Sequence, residues 1–168
     1  MKQHILKRVF FVLLIFCFLM GSGYDAHGQS RKNVYVIPIE GEINPANAQF
    51  INHSIEKAES DPESVCIIFE IDTLGGRVDQ AIKIRDKIMS TSVHTISFIN
   101  NDAQSAGVLL AIASENMVMA HGSSIGSAEP VPNNEKTLSF WKAELRKTAE
   151  GRGRDPLLVE AMADRRIE

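Results

Sequence analysis

VCIIFEIDTLGGRVDQAIKIRDKIM, residues 65–89, holds three patterns in succession. VCIIFEI (65–71) is a near-continuous apolar run rich in β-branched residues, the kind of strand that is buried within a parallel sheet. Gly75-Gly76 breaks that run, and Val78, Ala81, Ile82, Arg85, Ile88 and Met89 then recur at helical spacing. Strand, glycine turn and amphipathic helix together make half of a βαβ unit.

The flanking sequence repeats the alternation. VYVIPIE (34–40) reads as a strand, with Pro38 marking an edge or a bulge. Asn44-Pro45 reads as an N-cap followed by proline at the first helical position, and Phe50, Ile51, Ile55 and Ala58 share one face of the helix that follows. VHTISFI (93–99) is the next strand, VLLAIAS (108–114) an apolar helix, and NMVMA (116–120) a short strand. GSSIGSAEPVP (122–132) is loop-rich with room for one short strand. A long helix is expected from about Lys136 to Glu150, with Leu138, Trp141 and Leu145 inward and Lys142 and Lys147 on a solvated face. Asp155-Pro156 opens the last helix. Strands alternating with helices imply an α/β fold with right-handed crossovers and a mostly parallel sheet.

With 168 residues the chain suffices for one domain with a real core. Residues 1–28 stand apart from it. Lys2, Lys7 and Arg8 precede VFFVLLIFCFLM (9–20), and a polar, small-residue segment follows with Ala26-His27-Gly28 as a cleavage site. This is the layout of a secretory signal peptide, or of an uncleaved anchor, and it predicts an exported protein. Without those residues 15 Lys+Arg stand against 20 Asp+Glu, a balance that argues against a nucleic-acid partner. Cys66 is the one cysteine left and sits in the VCIIFEI run, so packing is its expected role. No Cys/His metal spacing and no G-x-G-x-x-G fingerprint occurs, and neither metal nor cofactor is expected.

In such sheets functional groups collect beyond the carboxyl ends of the strands. Two turns fall there. In DTLGGRVDQ (72–80) the glycine pair is either an ordinary turn or a turn whose bare N–H groups can donate to an oxyanion. In NNDAQSAG (100–107) Ser105 is either a helix cap or a nucleophile held out of a strand-to-helix elbow. Placed on successive strand ends, the Gly76 and Ala106 N–H groups could flank one acyl carbonyl within reach of Ser105 Oγ. His53, His94 and His121 are not placed near Ser105 by chain order, although His121 is kept in reserve as a base. Lys136, at the start of the long helix, is either a surface charge or a base of the kind that burial can create.

DTLGGRVDQA (72–81), NNDAQSAGVLLAIAS (100–114) and MVMAHGSSIGSAEPV (117–131), in that order, resemble the Clp-protease/crotonase superfamily. More narrowly they resemble its NfeD-type membrane-bound serine proteases, the partners of stomatin-like proteins. The resemblance runs from about Val34 to the last residues and implies a spiral of ββα units with a Ser–Lys dyad. Ser105 matches the nucleophile, and Gly76 and Ala106 match the oxyanion hole. Lys136 matches the base, because the family's lysine begins the helix that ends in a turn like Gly153-Arg154-Asp155. Ala128-Glu129-Pro130 stands where Clp-type proteases carry their catalytic histidine, which favours the dyad. The implied activity is endopeptidase cleavage of apolar segments of a stomatin-like membrane protein, at the extracytoplasmic face, by a homo-oligomer. Relatives continue with a further catalytic segment, membrane spans and a small β-barrel, so residues 29–168 are expected to be a protease-like domain truncated at its C-terminal side. The rival readings are a crotonase-like enzyme acting on a CoA thioester and a non-catalytic scaffold for a membrane partner.

Overall fold

β2 (Ser64–Thr73) lies inside a sheet, with β1 (Asn33–Glu40) and β3 (Thr95–Gln104) on either side and both parallel to it. These coordinates come from a computed structural model that describes residues 31–167, and the expected signal segment lies outside the described residues. α1 (Pro45–Ser60) links β1 to β2, and α2 (Val78–Ser90) links β2 to β3. After β3 come α3 (Ala106–Ala111), β4 (Asn116–Met119), β5 (Ser124–Gly126), α4 (Glu135–Gly151) and α5 (Pro156–Ala161). The sheet order is β1-β2-β3-β4, with β5 also paired to β3, and every pairing is parallel.

Spatial order follows chain order, so successive right-handed crossovers fall on the same side of the sheet. That side is the core. Ile37, Ile39, Ile67, Phe69, Ile71 and Ile99 of the strands meet Ile51, Ile55, Ile84, Ile88 and the apolar helix α3, all buried. Each such aliphatic or aromatic side chain contributes about 1.5–3 kcal/mol on leaving water. The other face of the sheet has no helix over it among the described residues. The expectation that VCIIFEI is buried on both faces is therefore corrected: Ile67, Phe69 and Ile71 are buried, whereas Val65 is exposed and Cys66 and Ile68 are half-buried. A continuous apolar run does not reveal that all the crossovers stack on one side.

β3 also runs further than its sequence suggests, through Asn100 to Gln104, because it changes partners along its length. Residues 95–99 and Ala103 pair with β2, while on the other side 96–99 pair with β4 and 102–104 with β5. A register shift on the β2 side, between Ile71 and Thr73, accompanies the change. Gln104 Nε2 donates to Asp102 Oδ1 and Ser124 Oγ, at 3.1 and 2.6 Å, and stitches the new pair together. Hydrogen bonds from Ser124 and Gln104 hold the Asp102 carboxyl below its ordinary pKa.

The starts at Asn44 and Asp155 are capped as their sequences suggest, and Asn134 adds a cap not read from the sequence. Asn44 Oδ1 accepts from Ala46 and Asn47, Asn134 Oδ1 from Thr137, and Asp155 Oδ1 from Leu157. Leu138, Trp141 and Leu145 are buried. Lys142 departs from its expected solvated face. Its ammonium lies 2.9 Å from Asp164 and 3.4 Å from Glu160, two buried carboxylates that pin α5 and the chain after it to α4.

Candidate active site

Ser105 ends β3 and opens α3 with φ 53 and ψ −120. An ordinary N-cap residue has extended backbone and accepts an N–H with its side chain, as Asn44, Asn134 and Asp155 do here. Ser105 does neither: its side chain makes no capping hydrogen bond. The left-handed φ is uncommon outside glycine and costs about 1–3 kcal/mol. Its own N–H is held by the carbonyl of Gly126 on β5 at 2.9 Å, and its carbonyl accepts from Val108 at 3.1 Å. The side chain is thereby turned out of the strand-to-helix bend, half-buried and free of hydrogen-bond partners among the described residues.

The glycine turn meets it directly. A Cβ placed on Gly75 would lie 2.6 Å from Ser105 Cβ, 3.0 Å from Ser105 Oγ and 3.1 Å from the Ala106 nitrogen. Gly75 has φ +102, so it needs glycine for its backbone as well as for this approach. Gly76 faces elsewhere, since a Cβ there would run into the backbone of Ile43. Ile43 and Gly76 form a parallel bridge through Ile43 N–H to Gly75 C=O and Arg77 N–H to Ile43 C=O, at 2.9 and 2.8 Å. Those bonds leave the Gly76 N–H unused, and no hydrogen bond within the described residues takes up the Ala106 N–H either. Both remain available as donors.

Thr73 joins the two turns, a role its sequence position does not announce. Its hydroxyl donates to the Gly41 carbonyl and accepts the Gly75 N–H at 3.0 Å. Its methyl group fills the space beside Gly107, where a Cβ would approach to 2.7 Å. Gly75, Thr73 and Gly126 are the site residues that sequence reasoning missed. A threonine two residues before a glycine was the available signal for the hydroxyl-closed turn. Leu74, 77% exposed, stands at the rim of a groove of about 560 Å³ lined also by Gly41, Glu42, Asp72, Gly75 and Gly76.

Lys136 stands in the first turn of α4, exposed, and no hydrogen bond joins it to Ser105. A second groove of about 510 Å³ abuts that turn, lined by Asn134 and Glu135 among others and not by Lys136. The structure thus brings Ser105, Ala106 and the glycine turn together and leaves the lysine at the surface. His121 is exposed and without a hydrogen-bond partner among the described residues. Among the described residues no group of three His, Cys, Asp or Glu side chains is placed to hold a metal ion, and no helix is long and apolar enough to cross a membrane.

The membrane protein NfeD1b of Bacillus subtilis is 33% identical over 155 residues, covering 89% of this chain and 35% of the relative. The membrane-bound protease PH1510 of Pyrococcus horikoshii is 28% identical over 169 residues, covering 92% of this chain and 37% of the relative. The chain therefore spans about a third of the length of these two relatives. Among solved structures, a serine-to-alanine mutant of 1510-N, a membrane-bound stomatin-specific protease, superposes with a TM-score of 0.75 at 28% identity, covering 81% of this chain and 72% of that one. A lysine-to-alanine mutant of the same protease in complex with a substrate peptide gives 0.74 at 27% identity, covering 81% and 68%. ClpP1 from Listeria monocytogenes, at 20% identity and a TM-score of 0.65 over 77% of this chain and 78% of that one, shares the fold, which is Clp-protease-like. The family described as the NfeD1b N-terminal domain matches residues 33–168, and the chain belongs to it.

Proposed function

We propose that the protein is a serine endopeptidase with a Ser105–Lys136 dyad, cleaving apolar segments of a stomatin-like, membrane-associated protein as a homo-oligomer at the extracytoplasmic face of the membrane. The observation that carries this reading is the backbone of Ser105, strained to φ 53 with its side chain doing no capping. Strain of this kind persists where the surrounding structure enforces it, and a nucleophile elbow is a known use of it. The relatives support the protease, the dyad and the stomatin-like substrate: 1510-N is a stomatin-specific protease, and the two mutant structures alter one serine and one lysine of that protein.

In the proposed reaction the neutral Lys136 amine takes the Ser105 proton as Oγ attacks a peptide carbonyl. The N–H groups of Gly76 and Ala106 stabilise the oxyanion, and the lysine then protonates the leaving amine. Water, deprotonated by the same amine, releases the acyl group. Only the neutral amine accepts a proton, so cleavage rises with pH. Because Lys136 is exposed, the reading requires its side chain to swing onto Ser105 when substrate fills the cleft. The same exposure favours the rival reading of a non-catalytic scaffold.

Cleavage of apolar peptides by the purified chain, beside Ser105→Ala and Lys136→Ala, decides between them. Loss of at least about a thousandfold in kcat for both variants, with both folded, is the expected result. Equal cleavage by Ser105→Ala and wild type would leave the scaffold as the better reading.

A further inference from the structure

Beyond the Lys142 and Arg146 ion pairs to α5 and the chain after it, hydrogen bonds hold α4 at three heights. Near its C-terminal end Arg152 Nε donates to the Ala113 carbonyl at 2.6 Å. Midway, Arg85 reaches Thr148 Oγ1 and the Glu144 carboxylate at 2.6 and 2.5 Å. Nearest to Lys136, the Trp141 indole N–H donates to the Ala128 carbonyl at 2.7 Å.

Of these three grips, the last alone holds the segment that also holds Ser105. The Gly126 carbonyl takes the Ser105 N–H, and the Ala128 carbonyl, two residues on, takes the Trp141 indole. Between them Ser127 has φ 49, and the Ala128 N–H is fixed by the Met162 carbonyl at 2.8 Å. Ala128 and Trp141 are both buried. Residues 126–128 are therefore a short rigid link with the nucleophile turn at one end and α4 at the other. Lys136 precedes Trp141 by five residues, about 7.5 Å of helix rise, so a shift of α4 at Trp141 moves the first turn with it.

We propose that the Trp141 indole N–H is a positioning contact, setting where the first turn of α4, with Lys136, stands relative to Ser105. The inference rests on the Ser105–Lys136 reading. Trp141 touches no reacting atom and acts through the helix. A bland alternative, that the ring only fills the core, gives the hydrogen bond no role beyond satisfying a buried carbonyl.

Trp141→Phe in the full chain keeps most of the ring and removes the donor. kcat for peptide cleavage should fall about tenfold with KM within twofold, since misplacement of a catalytic group by a fraction of an ångström acts on the chemical step. In a Lys136→Ala background the same substitution should leave the residual rate unchanged. An equal fractional loss in both backgrounds, or an unchanged kcat in the parent, would overturn the proposal. Trp141 is the chain's single tryptophan, so biosynthetic replacement by benzothienyl-alanine supplies a second variant with the N–H exchanged for sulfur at nearly constant shape.

Spin labels on Ser105→Cys and Lys136→Cys, with Cys17 and Cys66 changed to serine, give a readout independent of activity. Either tryptophan replacement should broaden or shift the distance distribution, and an unchanged distribution refutes the positioning role. If Lys136→Ala or Ser105→Ala cleaves like wild type, the dyad fails, and the label distances still report whether Trp141 places the first turn of α4.

Discussion

Replacing Ser105 by glycine should make the protein more stable while abolishing cleavage. At φ 53 and ψ −120 the serine backbone carries about 1–3 kcal/mol of strain that glycine does not feel. Against this, glycine adds unfolded-chain entropy worth about 0.5–1 kcal/mol. Loss of the Cβ packed against Gly75 subtracts roughly a few tenths of a kcal/mol. The net gain is about 1 kcal/mol. Ser105→Ala is the control, because it keeps the Cβ and hence the strain, and loses an Oγ with no internal hydrogen bond. Its stability should stay close to wild type. At an ordinary position glycine is less stable than alanine by about 0.5–1 kcal/mol, so the sign of the difference is the diagnostic. Equilibrium urea unfolding measures it, with glycine expected to raise the midpoint over alanine by roughly 0.5 M at a slope of about 2 kcal/mol/M. A glycine variant less stable than the alanine variant would show a relaxed backbone at residue 105 and remove the argument for an elbow.

Three further outcomes follow from the same structure. Gly75→Ala forces a Cβ to 2.6 Å from Ser105 Cβ at a left-handed φ, and should cost about 1–3 kcal/mol and block cleavage; a variant that unfolds like wild type and cleaves normally would contradict the close approach of the two turns. Asn134→Ala removes the acceptor for the Thr137 N–H at the start of α4 and should cost about 1 kcal/mol in thermal unfolding, whereas Asn134→Ser, which can still cap, should recover most of it. Arg166 and Lys142 hold the Asp164 carboxyl well below its ordinary value of 3.8. A lowered folded-state pKa stabilises the fold above pH 3.8 and is lost progressively as pH falls below it. Asp164→Asn should therefore lower the urea midpoint at pH 7 and by less at about pH 2.5, and equal losses at both would disprove the ion-pair account.

The α/β class, the parallel strands, two capped helix starts and the two candidate turns were all legible from the chain alone. Each depends on neighbours within a few residues: the apolar period of 65–89, the Asn-Pro and Asp-Pro pairs, and small residues after a strand. The resemblance carried by three ordered motifs pointed to the family that the comparisons establish. Sequence reasoning did not separate Gly75 from Gly76, because which glycine touches Ser105 depends on the register between β2 and β3 and on the bridge to Ile43. Nor did it find Thr73, whose hydroxyl serves one turn and whose methyl group serves the other. The uncovered face of β2 and the ion pairs of Lys142 were hidden for the same reason, since apolarity and charge in a sequence do not say what lies across from them. Whether Ser105 caps a helix or stands out of an elbow was undecidable from Ala-x-Ser-x-Gly. Tertiary structure shows that the Ser105 side chain caps nothing, through a backbone torsion that the Gly126 carbonyl and the glycine turn hold in place from distant parts of the chain.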